Sequence, residues 1–164
     1  DIQTDPLTGL RNRRGLDLAV TLWQAEKRPF SVIAIDIDHF KQVNDNHGHA
    51  VGDEVLQALA ELMRNCSRDN DVICRSGGEE FVMLLPGASP AAAARVAERL
   101  RRVVEETPFE TVGNLTISLG VAQWPLHSAN AARVFEIADE QLYAAKVNGR
   151  NRISVAEPDA MQQA

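Results

Sequence analysis

Two acids, Asp36 and Asp38, close the apolar run FSVIAIDI, and a second acidic pair, Glu79 and Glu80, follows the double glycine Gly77-Gly78. Side chains alternate along a strand, so Asp36 and Asp38 share one face with Ile37 opposite. Two acids ending a buried strand are costly unless they are paired or hold a cation. If the segment after the glycines lies beside this strand, one glutamate meets Asp36. A few carboxylate oxygens, with phosphate completing the shell, suit magnesium. Two such ions can bind both the attacking and the leaving oxygens of a phosphoryl transfer. A lone D-x-D reads more simply as a solvated strand end. The second acidic pair behind glycines, which let a backbone approach phosphate closely, shifts the reading toward metal.

The basic residues fit the same chemistry. Lys41 lies just past the first acidic pair, and Lys146 and Arg150 bracket the end of a helical stretch. Cations there can hold triphosphate oxygens, although Lys146 by itself equally suits a helix C-terminus. Other chemistries are poorly served. Neither a P-loop nor a G-x-G-x-x-G is present. The four histidines form no H-x-x-x-H pair, and His47 and His49, flanking Gly48, have no soft ligands near them for zinc. No G-x-S-x-G occurs. Cys66 and Cys74 have no metal or redox spacing and read as thiols in a reducing compartment.

These residues need a layered scaffold. A helix is expected over residues 7–26, with Asp5 as N-cap and Pro6 at the first helical position. Residues 30–37 form a strand buried on both faces. A short helix over 38–45, a turn at NHGHAVG and an amphipathic helix over 53–66 follow. Strands over 71–75 and 80–86 flank a tight SGGE turn. A helix begins at Ser89, a strand covers 115–124, a helix covers 131–147 and a short strand covers 152–155. The order implies an α/β or α+β fold, a mainly antiparallel sheet flanked by helices. Its β-α-β-β-α-β middle is the ferredoxin-like order, shared with nucleotide-cyclase palms. One domain over 1–157 and a frayed tail over 158–164 are expected.

RSGGEEF (residues 75–81) resembles the signature of the GGDEF family of diguanylate cyclases in its GGEEF form. DPLTGLRNRR, DIDHFKQVNDNHGHAVGDEVL, TISLGVA and ADEQLYAAKVNGRN extend the resemblance, in the family's order and spacing, over residues 5–155. It implies an enzyme that condenses two GTP into cyclic di-GMP and two pyrophosphates, each 3′-hydroxyl attacking the other α-phosphate across a homodimer. It implies two Mg2+ (or Mn2+) per active site, bound by Asp36, the Ile37 carbonyl and Glu79. Glu79 matches the key acid, at times described as proton acceptor, and Glu80 supports metal or hydroxyl activation. Asn44 and Asp53 match the guanine-reading pair, chemistry that an amide and a carboxylate suit. His49 lies near the substrate. Lys41, Lys146 and Arg150, with Gly78 and the backbone of His39 and Phe40, match phosphate-holding positions. Arg68 and Asp71 form an R-x-x-D at the family's spacing from GGEEF, which implies an inhibitory product site completed by Arg95 and Arg99. Outside that context R-x-x-D would read as an exposed ion pair. Ser76 and His39 depart from the residues common at those positions. The alternative reading is a silent receptor for GTP or cyclic di-GMP, but every acidic and guanine-reading residue is in place.

The 164 residues, 45% hydrophobic and 24% charged, fit one domain with a substantial core. The net charge of -6 argues against a nucleic-acid partner. No apolar run approaches the roughly 20 residues that span a bilayer, so no membrane contact by this domain is expected. The chain opens without a signal peptide, and a motif already at Asp5 suggests a piece of a longer protein. The expected location is the cytoplasm.

Overall fold

The computed structural model describes residues 1–158. The expected tail falls outside the described residues from 159 onward.

Strand β1 (Phe30–Ile37) is the middle of a five-stranded sheet, and all eight of its residues are buried. Across the sheet the order is β2 (Val72–Arg75), β3 (Glu80–Pro86), β1, β6 (Ile117–Trp124), β7 (Arg152–Val155). All pairings are antiparallel except β6 with β7, which is parallel. The fold is therefore α+β, as expected. Two two-residue strands that the sequence did not announce, β4 (Pro108–Phe109) and β5 (Gly113–Asn114), pair beside it.

A continuous apolar strand is stable only when both faces are covered. Ile33, Ile35 and Ile37 pack with Leu56, Leu59 and Met63 of α3 (His49–Asn65) and Leu100 of α4 (Pro90–Glu106). Phe30, Val32 and Ala34 pack on the other face, with Leu16 and Trp23 of α1 (Arg13–Ala25) and Val134 and Ile137 of α5 (Ala131–Val147). Truncating a fully buried residue such as Ile35 costs about 2–5 kcal/mol. Gly120 permits the close fit of α5 on β6: a Cβ there would collide with the α5 backbone at Ala138 and Leu142.

Several boundaries differ from expectation. Helix α1 begins at Arg13, capped by the Asn12 side chain on the Gly15 amide, and not at residue 7. Residues 5–11 instead form a turn, with Gly9 at φ 74, and Arg11 bonds the edge of β2 through Ile73 and Arg75. The Asp5 carboxylate caps that turn by accepting from the Thr8 amide and hydroxyl. The expected turn NHGHAVG narrows to Gly48, at φ 87, between α2 (Phe40–His47) and α3. Ser89 and the α5 terminus behave as expected: Ser89 Oγ caps α4 by accepting from the Ala92 amide, and α5 ends at Val147, followed by Asn148 and Gly149.

Candidate active site

The two strands that carry the acids are neighbours, and Asp36 stands opposite Glu80 in the β1–β3 register. Glu79, one residue before β3, turns its carboxyl toward Asp36. Burial pushes the Glu79 carboxyl above its ordinary range, the facing Asp36 adds to this, and Lys146 opposes it. Asp36 is 6% exposed; its Oδ2 accepts from Lys146 Nζ, and its Oδ1 is buried without a donor. An orphaned carboxylate oxygen facing a second acid is costly in the absence of a cation. Among the described residues no three acid, histidine or cysteine side chains converge. A cation here would draw on Asp36, Glu79 and the Ile37 carbonyl, and the rest of its shell would come from phosphate or water. That all-oxygen set fits a hard divalent ion such as magnesium.

Asp38 differs. It is 4% exposed and its oxygens are taken: Oδ1 accepts from Ser118 Oγ (2.7 Å), and Oδ2 from Thr116 Oγ1 (2.7 Å) and the Asn151 amide (3.0 Å). Of Asp36 and Asp38, only Asp36 has an oxygen without a donor among the described residues.

The turn between β2 and β3 is held from both sides. Amides of Ser76 and Gly77 donate to the Glu80 carbonyl. Arg75 donates through Nε and Nη2 to the Gly78 carbonyl (3.0 and 2.7 Å) and through Nη1 to Asp5 (3.3 Å). The Glu80 carboxylate folds over Gly77, where a Cβ would lie 2.7 Å from Oε2. It is exposed, and Gly78 faces open space.

The remaining candidates separate into groups. Lys146 reaches the acids, and Arg150, exposed after α5, follows it on the same turn at φ 63. Lys41 does not reach them; it is exposed on α2 and bonds Asp45 at 2.8 Å. His39 holds a left-handed conformation (φ 58) at the start of α2, and Phe40 is buried, so only its backbone is available. Asn44 on α2 lies against Gly52 of α3, next to Asp53: a Cβ on Gly52 would overlap Asn44 Oδ1. Gly52 was not singled out in the sequence, because only packing gives it a role. Asp53 and His49 are exposed on the first turns of α3.

Residues 2–152 match the family described as "Diguanylate cyclase, GGDEF domain". This chain belongs to the GGDEF family. Diguanylate cyclase A of Treponema denticola is 43% identical over 135 residues, 80% of this chain and 36% of that protein. The response regulator PleD of Caulobacter vibrioides is 42% identical over 159 residues, 92% of this chain and 35% of PleD. The GGDEF chain thus spans about a third of the length of these relatives. The crystal structure of the DgcB GGDEF domain from Caulobacter crescentus in complex with c-di-GMP is similar at TM-score 0.86 and 33% identity, covering 94% of this chain and 96% of that one. The active GGEEF domain of a diguanylate cyclase from Vibrio cholerae is similar at TM-score 0.81 and 36% identity, covering 89% and 97%.

In this GGDEF domain the four arginine-site candidates also meet. Arg68, Asp71, Arg95 and Arg99 line a cavity of about 640 Å³, and Arg28, which the sequence did not flag, joins them. Asp71 accepts from the Arg68 backbone amide (2.9 Å) and forms no side-chain ion pair with it among the described residues. Burial raises the Asp71 carboxyl above its ordinary range. Cys66 lines the same cavity, and both cysteines are free thiols. No described helix is long and apolar enough to cross a membrane.

Proposed function

We propose that this domain is a diguanylate cyclase that joins two GTP into cyclic di-GMP. The observation that carries the reading is the buried Asp36 oxygen without a donor, set beside Glu79 at the GGEEF turn. Asp36, Glu79 and the Ile37 carbonyl would hold the divalent ions, two per active site and magnesium or manganese. When bound, these supply Lewis acidity at the reacting phosphate and neutralise its charge.

The protein's own groups do the positioning. Asn44 and Asp53 read the guanine edge, the aspartate accepting from its N–H donors, with His49 nearby. Lys146 moves from Asp36 to the triphosphate, which Arg150, the amides of His39 and Phe40, and the open backbone at Gly78 also hold. Lys41 joins them after exchanging Asp45 for phosphate. Glu79, with Glu80 beside the turn, receives the proton of the 3′-hydroxyl. The 3′-oxygen of each GTP then forms a P–O bond to the α-phosphate of the other, and the bond to pyrophosphate breaks. One chain carries half of this arrangement, so catalysis needs a homodimer, and positioning supplies much of the rate. The arginine cavity fits a second role, binding the product at Arg68, Asp71, Arg95 and Arg99 and inhibiting synthesis, since guanidinium forks match phosphate and the guanine acceptor edge. The proposed setting is the cytoplasm.

Incubating the chain with GTP and magnesium and separating the products tests the reading. Cyclic di-GMP is expected, while GTP that binds without turning over would support a receptor.

A further inference from the structure

The turn that carries Arg150 is built in an unusual conformation. Arg150 and Asn151 are consecutive non-glycine residues in the left-handed region, at φ 63 and 48. Side chains rarely adopt it, so the surrounding structure must hold it. The α5 end supplies one hold, since the Arg150 amide donates to the Ala145 carbonyl (2.9 Å). The other is at Asn151. Its amide donates to Asp38 Oδ2 (3.0 Å), its Oδ1 accepts from Arg101 Nη1 (2.9 Å), and its Nδ2 donates to Glu105. Arg101 is in turn fixed by a two-pronged contact to Glu98 (2.8 Å each) and is largely buried.

Asp38 is the centre of this hold. Its own amide bonds the Thr116 carbonyl (3.0 Å), and its carboxylate ties the end of β1 to Thr116, Ser118 and the Asn151 turn. Asp36 and Asp38 therefore grip opposite ends of one segment, Lys146 and Asn151. The Asp36 grip involves a group that a cation or phosphate can release. The Asp38 grip is saturated by neutral donors and does not depend on either.

We infer that Asp38, acting through Asn151, is a positioning residue that sets the Arg150 turn for a ligand's terminal phosphates, and that it does not bind metal. This rests on reading the site as a GTP site. The sequence left Asp38 open, paired or holding a cation, and the family resemblance gave it no role.

The test compares binding of 3′-deoxy-GTP, which lacks the attacking hydroxyl, with binding of GMP, which lacks the terminal phosphates. Calorimetry with magnesium is done on the native chain, Asp38→Ala, Asp38→Asn and Asn151→Gly. Asp38→Ala is expected to weaken 3′-deoxy-GTP by about tenfold, the worth of one charge-assisted hydrogen bond, and to leave GMP unchanged. Asp38→Asn should restore most of this. Its amide oxygen can accept from Asn151, and its NH2 can donate to the Ser118 hydroxyl, which rotates to accept. Asn151→Gly keeps the positive φ and the amide to Asp38 but loses the grip of Arg101 and Glu105. It should show a smaller selective loss, and it serves if Asp38→Ala does not fold. Equal weakening of both ligands, or no change in either, overturns the inference. So does an Asp38→Asn loss as large as that of alanine, which is what a metal ligand would give. If the native chain binds neither nucleotide, the GTP reading of the site fails first and this inference with it.

Discussion

Lys146 and Asp36 are 110 residues apart in the chain, yet they form an ion pair where α5 meets the end of β1. The lysine supplies the positive charge that the facing Asp36 and Glu79 require. Removing it leaves two acids close together and takes the donor from Asp36 Oδ2, while Oδ1 already has none. The Lys146→Ala variant is expected to lose on the order of 1–3 kcal/mol of stability, between the values for exposed and buried pairs. Magnesium or manganese should recover part of the loss, because a cation then takes the place of the ammonium. Thermal denaturation with and without divalent ion reads both effects. An unchanged midpoint that ignores the metal would contradict this reading of the acid pair.

Gly52 makes room for Asn44. The Gly52→Ala variant places a methyl group where Asn44 Oδ1 now lies, so the amide must leave its present position. Alanine also favours helix over glycine by roughly 1 kcal/mol. The expected result is a domain that stays folded and binds GTP at least tenfold more weakly, the cost of about one good hydrogen bond to the base. Unaltered GTP affinity would remove Asn44 from the guanine pocket.

Asp5 contributes stability that depends on pH. Burial alone would raise its carboxyl, but hydrogen bonds from Thr8 and the Arg75 charge outweigh this and hold it below the ordinary carboxylate range. The folded-state value is thus lower than the unfolded one. The contribution is fully present above about pH 4 and is lost as the pH falls through the folded value, where the carboxylate must take a proton. Urea unfolding from pH 7 to pH 3 should show Asp5→Asn less stable at neutral pH and flatter toward acid. Parallel curves for the two proteins would refute the pairing.

Arg68 directs its amide, and not its guanidinium, to Asp71, so the guanidinium is available to a ligand in the cavity. Cyclic di-GMP is expected to inhibit synthesis, and Arg68→Ala should raise the half-inhibiting concentration about tenfold or more while the initial rate stays near native. Identical inhibition curves would mean that the cavity is not the product site.

The central sheet was legible because its strands carry unmistakable patterns. The apolar run of β1 reads as buried on both faces, and Gly77-Gly78 reads as the turn into β3. Asp36 and Glu79 were legible for the same reason, since strand ends and a tight turn fix where those side chains go. Asp38 was placed on the face of Asp36, but its partners could not be named. Thr116, Ser118 and Asn151 are distant in sequence, and nothing local announces that their donors will saturate it. Asp5 misled because an Asp-Pro pair resembles a helix start; its carboxylate is drawn instead to Thr8 and Arg75, and the chain bonds to the sheet edge before α1 begins. Gly52 and Arg28 gained their roles from packing alone.

The most direct test of the central claim is product analysis after incubation with GTP and magnesium, with Glu79→Gln beside the native chain. Cyclic di-GMP from the native chain and none from the variant is the expected result. Equal synthesis by both would contradict the acidic centre. No product from the native chain, even at high protein concentration or with a dimerising segment fused to it, would contradict the cyclase itself.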